Sequence, residues 1–457
     1  VELERYQDFS ARFHRKVVGA RVPAEGTIEV TRRCPLTCVH CYNNLPVTDR
    51  AARDTELTTA EHHRIVDEIA EAGCIWLLYT GGEILARGDF LDIYTHAKKR
   101  GMLVTLFTNG TMITPKVADH LAEWRPFAIE ITLYGRTRET YERLTGIRGS
   151  YDRCMRGISL LLERRLPLKL KTVAVTVNRH EIWEMKRFAE EDLGVEFKFD
   201  AMINPRIDCS QSPLSVRLTP AEVVALDVQD PRRTDAWKSF CERFHGPAHT
   251  PDKNGELYVC GGGMTSFAID PLGKMSICTL SHFDTYDLRT GSFREGWEKF
   301  LRKVRSKKMT QLTKCVACSL KAMCGMCPAN GELENGDPEA PVNFLCHVAH
   351  LRAHALGMPV PAHGECEYCE GGANYADLLE SLAALEQAKS AVGESGLFRR
   401  AEGMSLPVLG SASRFPSMGC GSGGCHSCAS GGEELHGRGD DEELAYTGSA
   451  VPRSEER

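Results

Sequence analysis

Thr31-Arg-Arg-Cys34-Pro-Leu-Thr-Cys38-Val-His-Cys41-Tyr-Asn43 is the stretch around which the rest of the chain is organised. Its three cysteines, at C-x3-C-x2-C, come directly after a β-branched run, Thr27-Ile-Glu-Val-Thr31, which reads as a strand. Three thiolates can hold three irons of a [4Fe–4S] cube and leave the fourth iron without a protein ligand. An open iron is a place where a small molecule binds and reacts, as at an open catalytic metal position. His40 and Tyr42, on either side of Cys41, are flat side chains suited to packing on a cofactor. The spacing alone also admits a zinc knuckle or three incidental thiols.

Further along lies Leu77-Leu-Tyr-Thr80-Gly81-Gly82-Glu83, an apolar strand ending in two glycines and a carboxylate. Glycines at a strand end permit close backbone approach, and a glutamate there can take an ammonium group. Val104-Thr-Leu-Phe-Thr108-Asn109-Gly110 then reads as a second strand ending in a polar turn. Taken together, residues from about 26 to 200 resemble the radical S-adenosylmethionine (radical SAM) family. The resemblance implies that Cys34, Cys38 and Cys41 ligate a [4Fe–4S] cluster whose open iron takes the methionine amine and carboxylate of SAM. It also implies cofactor contacts at Tyr42, Gly81, Gly82, Glu83, Asn109 and Thr132, with Glu83 holding the amine.

The pattern around these motifs alternates regularly. Strands are expected at about 27–31, 74–79, 103–107, 127–133, 168–176 and 195–199, with amphipathic segments between them. Thr58-Thr-Ala-Glu61 is a capping-box helix start, followed by Ile65, Val66 and Ile69 on one face. Asp89–Arg100 ends at Gly101, and Tyr151–Arg165 carries Met155, Ile158, Leu161 and Leu162. Six βα units with right-handed crossovers predict an α/β fold, a partial (βα)6 barrel. Chemistry in such barrels sits at the C-terminal strand ends, where Cys34–Cys41, Gly81–Glu83, Asn109 and Thr132-Leu-Tyr-Gly135 all fall. Cys74 opens a strand and Cys154 lies in a helix, so both read as small core residues; Cys209, in the polar loop Asn204–Pro213, has no assigned task.

Nineteen cysteines in 457 residues stand at short spacings rather than as a disulfide framework, the pattern of metal ligation in a reducing compartment, hence cytoplasm. The length allows two or three domains. A formal net charge of −6 argues against nucleic acid as the main partner. No run of about eighteen apolar residues argues for a membrane span. Val1–Arg21 is charged throughout and does not read as a signal peptide.

A second cysteine field comprises Cys260, Cys278, Cys315-Val-Ala-Cys318, Cys324-Gly-Met-Cys327 and Cys346. Ser266–Asp270 and Lys274–Ile277, joined by Pro271-Leu-Gly273, predict a β-hairpin that brings Cys260 and Cys278 near each other. A pair of structural zinc sites would suit the same C-x2-C pairs. The order resembles the SPASM extension of radical SAM enzymes, which carries two auxiliary [4Fe–4S] clusters. By that resemblance Cys315, Cys318, Cys324 and Cys346 hold one, and Cys260, Cys278 and Cys327 the other, with Cys241 a candidate fourth ligand or one iron open. Cys327 departs from the family pattern, following Cys324 after two residues instead of three.

These readings divide the chain into an N-terminal extension (1–25), the barrel (26–205), a linker and helix (206–240), a small cysteine-rich α+β domain (241–350) and a C-terminal extension (351–457). In the extension Tyr375–Val392 reads as an amphipathic helix. Around it stand Cys366-Glu-Tyr-Cys369 and Cys420-Gly-Ser-Gly-Gly-Cys425-His-Ser-Cys428. The two C-x2-C pairs suggest zinc or a further iron–sulfur cluster; the alternatives are a flexible tail with reactive thiols or a tethered element resembling the substrate. From Gly431 the composition reads as disordered.

The resemblance implies an enzyme that cleaves SAM reductively and abstracts hydrogen from an unactivated C–H through a 5′-deoxyadenosyl radical. Flavodoxin or ferredoxin is the type of electron donor expected. Members with this extension mostly modify peptides or proteins, so a peptide maturase leads. A haem-precursor or other small-molecule enzyme follows. A non-enzymatic iron–sulfur scaffold or redox sensor is the third class, and Gly81-Gly82-Glu83 counts against it, because a scaffold needs no amine site.

Overall fold

The computed structural model describes residues 12–394, except 14–15, 18, 245–254, 317 and 364. Cys420, Cys425, Cys428 and the composition-based disorder after Gly431 lie outside the described residues. Six parallel strands follow one another in chain order: β1 (Glu25–Glu29), β2 (Trp76–Thr80), β3 (Leu103–Thr108), β4 (Ala128–Thr132), β5 (Leu168–Val173) and β6 (Glu196–Asp200). Each lies within a few residues of the expected position, and helices fill the crossovers. Cys74 precedes β2 and, like Cys154, is buried in the core.

The helices begin where local chemistry says they should. At both Thr58 and Thr219 the side chain accepts from the backbone N–H three residues on, and the glutamate there reaches back to the cap. Thr59–Glu71 buries Ile65, Val66 and Ile69 against the sheet, and Phe90–Lys99 buries Phe90, Ile93, Tyr94 and Ala97. Alternation along the strands sorts the two faces of the sheet. Val104, Leu106, Ile129, Ile131, Leu168 and Leu170 join the core under the helices. Thr105, Phe107, Glu130, Thr132, Lys169, Lys171, Glu196 and Lys198 occupy the opposite face.

The expected hairpin forms from β7 (Ser266–Ile269) and β8 (Lys274–Ser276), turning at Gly273, whose φ is +81°. It does not stand apart. β7 pairs in parallel with β1, and β9 (Tyr286–Asp287) extends the same sheet to nine strands in the order β9-β8-β7-β1-β2-β3-β4-β5-β6. Gly26 makes the junction possible: a Cβ there would stand 2.6 Å from the ring of Phe267. Beyond the sheet, Pro220–Gln229, Asn343–Ala355 and Tyr375–Glu394 pack together. Leu378 and Leu385 of the last helix are fully buried. No helix among the described residues is long and apolar enough to cross a membrane.

Candidate iron–sulfur and cofactor site

The loop that leaves β1 is anchored before it reaches its cysteines. Arg33 forms a bidentate pair with Glu56 at 3.0 and 2.9 Å, both groups buried, and Thr31 donates to the same carboxylate. The strand end Gly81-Gly82-Glu83 closes over this loop. Gly82 N–H donates to Thr31 O at 2.7 Å and Glu83 N–H to Arg33 O at 3.0 Å. A Cβ on Gly81 would lie 2.2 Å from Thr31 O, and one on Gly82 2.5 Å from Arg32 O. The close approach that the two glycines permit is thus made by the chain's own backbone, where the sequence suggested a ligand. What they position is Glu83.

Glu83 is 1 % exposed and has no ion-pair partner among the described residues. Its carboxylate accepts from Thr108 Oγ1 at 2.7 Å, Asn109 N–H at 2.8 Å and Leu85 N–H at 3.1 Å. Burial raises its pKa, and those three donors pull the other way. A buried acceptor of this kind calls for a cation, and the SAM ammonium meets that description. Asn109 links this carboxylate to the cysteines: its backbone serves Glu83 while its side-chain amide lies 3.5 Å from Cys34 Sγ. Thr111 holds the amide oxygen at 2.9 and 2.6 Å.

The three thiols of the loop share one neighbourhood. Burial pushes the Cys34 thiol up to about 12, with the Glu83 and Cys41 charges adding to it. Cys38 is raised by burial and then by Cys41 and Cys34, against a hydrogen bond with Tyr134. Cys41 rises by burial too, and its Sγ lies 3.7 Å from Asn43 Oδ1. One buried and two half-buried thiols, all pushed up in pKa, with Cys34 and Cys38 raised further by Cys41, fit a cationic iron cluster, which would reverse the balance and hold them as thiolates. His40, whose ring lies 5.6 Å from Tyr134, leaves its buried Nδ1 without a hydrogen-bond partner among the described residues. Tyr42 donates to buried Glu29 at 2.8 Å, as does Asn43. Thr132 ends β4 opposite Lys171 on the polar face of the sheet.

The sequence itself marks no acid or base at a strand end with a clear task. The structure offers Lys171, which pairs with Glu130 at 3.3 Å. Burial lowers its pKa to about 8, with Glu130 opposing. Alternation of polar residues in β5 was the available signal.

The second cysteine field separates into two places. Cys315, Cys318, Cys324 and Cys346 line one cleft, where Cys324 and Cys346 share a hydrogen bond. Cys278 and Cys327 pack on a different cluster, formed by Leu280, Ala329 and Leu333. Gly325, at φ +69°, turns the chain between Cys324 and Cys327 and so sends neighbouring thiols to different sites. Cys260 precedes the Gly262 bend, which packs on Ile277 beside Cys278.

Cys241 does not belong with Cys260, Cys278 and Cys327. It is buried with Trp237, Leu320 and Met323, against Cys318 and Cys324, because its helix, Pro231–Phe244, docks on the other side. Cys209 packs on the Leu280–Leu333 cluster instead, with Tyr42, Cys278 and Cys327. Its φ of +64° is left-handed, a strained geometry for a residue with a side chain. His350 and His363 lie beside Cys366 and Cys369; the expected pairing with Cys425 and Cys428 falls outside the described residues.

A partial parallel barrel with three thiols and a buried carboxylate at its strand ends, joined to a cysteine-rich auxiliary domain, defines a class of cluster-dependent enzyme. Residues 28–189 match the Radical SAM superfamily and form a radical SAM domain, which makes the chain an enzyme that uses SAM and a [4Fe–4S] cluster. It is similar to AdoMet-dependent heme synthase of Methanosarcina barkeri, 26% identical over 68% of this chain and 92% of the relative. PqqA peptide cyclase of Ruegeria pomeroyi is 32% identical over 35% of this chain and 42% of its own length. Among solved structures, Streptococcus suis SuiB bound to its precursor peptide SuiA has the same fold, with TM-score 0.54 and 17% identity over 76% of this chain and 82% of that one.

Proposed function

We propose that the chain binds SAM between Cys34–Cys41 and Glu83 and uses it to modify a peptide or protein, by crosslinking or oxidation at an unactivated C–H. The observation that carries this reading is Asn109, which holds the amine-binding carboxylate and the Cys34 thiol in one hydrogen-bonded unit at adjacent strand ends. Cys34, Cys38 and Cys41 would hold the cluster, which would supply the electron for reductive cleavage of the SAM C–S bond. The protein's part is positional. Glu83 fixes the amine, Asn109 sets the distance from carboxylate to thiol, and Gly81 and Gly82 let the two strand ends meet. Substrate would lie along the polar face carrying Glu130, Thr132 and Lys171, with Lys171 near enough to Glu130 to exchange a proton.

The auxiliary ligands in this reading are Cys315, Cys318, Cys324 and Cys346 for one cluster, and Cys260, Cys278 and Cys327 for the other. Residues 26–205 serve as the catalytic unit and 241–350 as the auxiliary one. A low-potential donor of the flavodoxin or ferredoxin type would supply the electron, in the reducing cytoplasm that so many clustered thiols suit. Structural likeness to a peptide-bound enzyme supports a peptide substrate. The alternative, tetrapyrrole chemistry, is favoured by the heme synthase alignment, which runs through both halves of the molecule.

The test is anaerobic reconstitution, reduction and incubation with SAM. 5′-Deoxyadenosine should form, and replacing Cys34, Cys38 and Cys41 together with Ala should abolish it while auxiliary iron stays; unchanged cleavage would sink the proposal. A mass change in a short peptide encoded beside this chain supports the peptide reading, whereas co-purifying Soret-type absorbance transfers it to a tetrapyrrole.

A further inference from the structure

His350, His363, Cys366 and Cys369 each offer one ligand atom, and these atoms all lie within 4.8 Å of one another. All four residues are more than nine-tenths buried. Cys366 Sγ is 3.4 Å from His350 Nε2, Cys369 Sγ is 3.9 Å from the same nitrogen, and Cys369 Sγ is 3.6 Å from His363 Nδ1. For a single tetrahedral ion with Zn–S of about 2.3 Å and Zn–N of about 2.0–2.1 Å, sulfur and nitrogen ligands stand about 3.6 Å apart. A two-iron cluster with histidines on one iron and cysteines on the other would hold the two kinds of ligand farther apart than this.

The surroundings are built for an ion as well. His350 Nδ1 lies 2.7 Å from the Cys346 carbonyl one helical turn back, which fixes the proton there and leaves Nε2 facing the thiols. The turn Cys366–Gly372 is tight: Cys369 N–H reaches Cys366 O at 3.2 Å and Gly372 N–H reaches Cys369 O at 2.8 Å. A Cβ on Gly372 would stand 2.4 Å from Glu367 O. Tyr368 packs on His347 and His350 with centroids 4.9 and 5.7 Å away, and Lys314 pairs with Glu367. His363 Nδ1 also lies 2.9 Å from Pro361 O, a contact that metal binding would replace.

We propose that His350, His363, Cys366 and Cys369 form a closed Cys2His2 zinc site that pins the segment after Gly357 to the wall of the auxiliary-cluster cleft. Four protein ligands leave no open position, so the ion is structural. The site needs neither Cys425 nor Cys428. It is contiguous with the cleft, since His350 and Cys366 line that cleft beside Cys346 and Cys318. It does not depend on the assignment of the SAM site.

The test uses the full chain, purified anaerobically from zinc-containing medium and read by elemental analysis and zinc K-edge absorption, which iron does not obscure. About one zinc per chain is expected, with a first shell of two sulfurs at about 2.3 Å and two nitrogens at about 2.0–2.1 Å. Cys366→Ser with Cys369→Ser should remove the zinc and leave the iron count unchanged. His363→Cys, which keeps four ligands, should retain zinc with a three-sulfur shell, and decides the matter where the double variant does not fold. Absence of zinc from the wild-type chain, a four-sulfur shell, an unaltered shell in His363→Cys, or iron lost in place of zinc would each overturn the site.

Discussion

Glu83 shows how much one side chain decides. It is the carboxylate, not the acid, that holds an ammonium group, and burial raises its pKa above the ordinary value. SAM affinity should therefore fall as the pH drops through that raised value, sooner than an exposed glutamate would require. The ligand-free chain has the opposite preference: an acid whose folded pKa is raised gives stability below its unfolded pKa and loses it as the pH rises through the folded one. Glu83→Gln should weaken SAM binding by about 10²-fold or more and abolish the acid limb of the binding curve, read by anaerobic equilibrium dialysis across pH. A variant that binds as tightly as wild type would remove Glu83 from the amine site. That a glutamate stood after two glycines at a strand end was legible from the sequence. That Asn109 would serve Glu83 with its backbone and Cys34 with its side chain was not, because Cys34 and Asn109 meet only once β1 and β3 have been placed on either side of β2.

At the scale of elements, the helix Asn343–Ala355 is held by a buried ion pair. Arg352 binds Asp227 at 2.9 and 2.7 Å, donates to Met323 O at 2.7 Å and lies 4.1 Å over the Trp237 ring. Arg233 completes the group at 2.6 Å from the same carboxylate. Burial would raise the Asp227 pKa, but the two guanidinium groups win and lower it. Its stabilisation is therefore present at neutral pH and lost as the pH falls through the depressed folded value. Arg352→Ala should cost about 3–5 kcal/mol in urea unfolding, because it leaves a buried charge short of a partner. A loss under about 1 kcal/mol, the scale of an exposed pair, would show that water reaches Asp227. The helix beginnings at Thr58 and Thr219 could be read directly, since their capping signals span four residues. Asp227 and Arg352, or His350 and Cys366, carry no mark of their pairing; only the packing of separate helices and turns brings them together.

For the whole molecule the metal count follows from the division of the thiols. Three cubes at four irons each give about twelve irons per chain after anaerobic reconstitution. Cys324→Ala and Cys327→Ala should each lower that count by about four, from different clusters, because Gly325 turns their thiols apart. Iron near eight in the intact chain would contradict two auxiliary clusters. The six-strand barrel and the hairpin were both visible as patterns of short apolar runs; their union was not, because parallel pairing leaves no local signature. That union has a consequence for how the protein is made. β1 is translated well before one of its two neighbours, since more than two hundred residues separate Glu29 from Ser266, where β7 begins. Throughout that interval the nascent barrel presents β1 as an open edge, able to pair with another chain. The loop bearing Cys34, Cys38 and Cys41 hangs from that half-paired strand, so a ribosome stalled before Ser266 would leave an aggregation-prone fragment with its thiols already exposed to solvent.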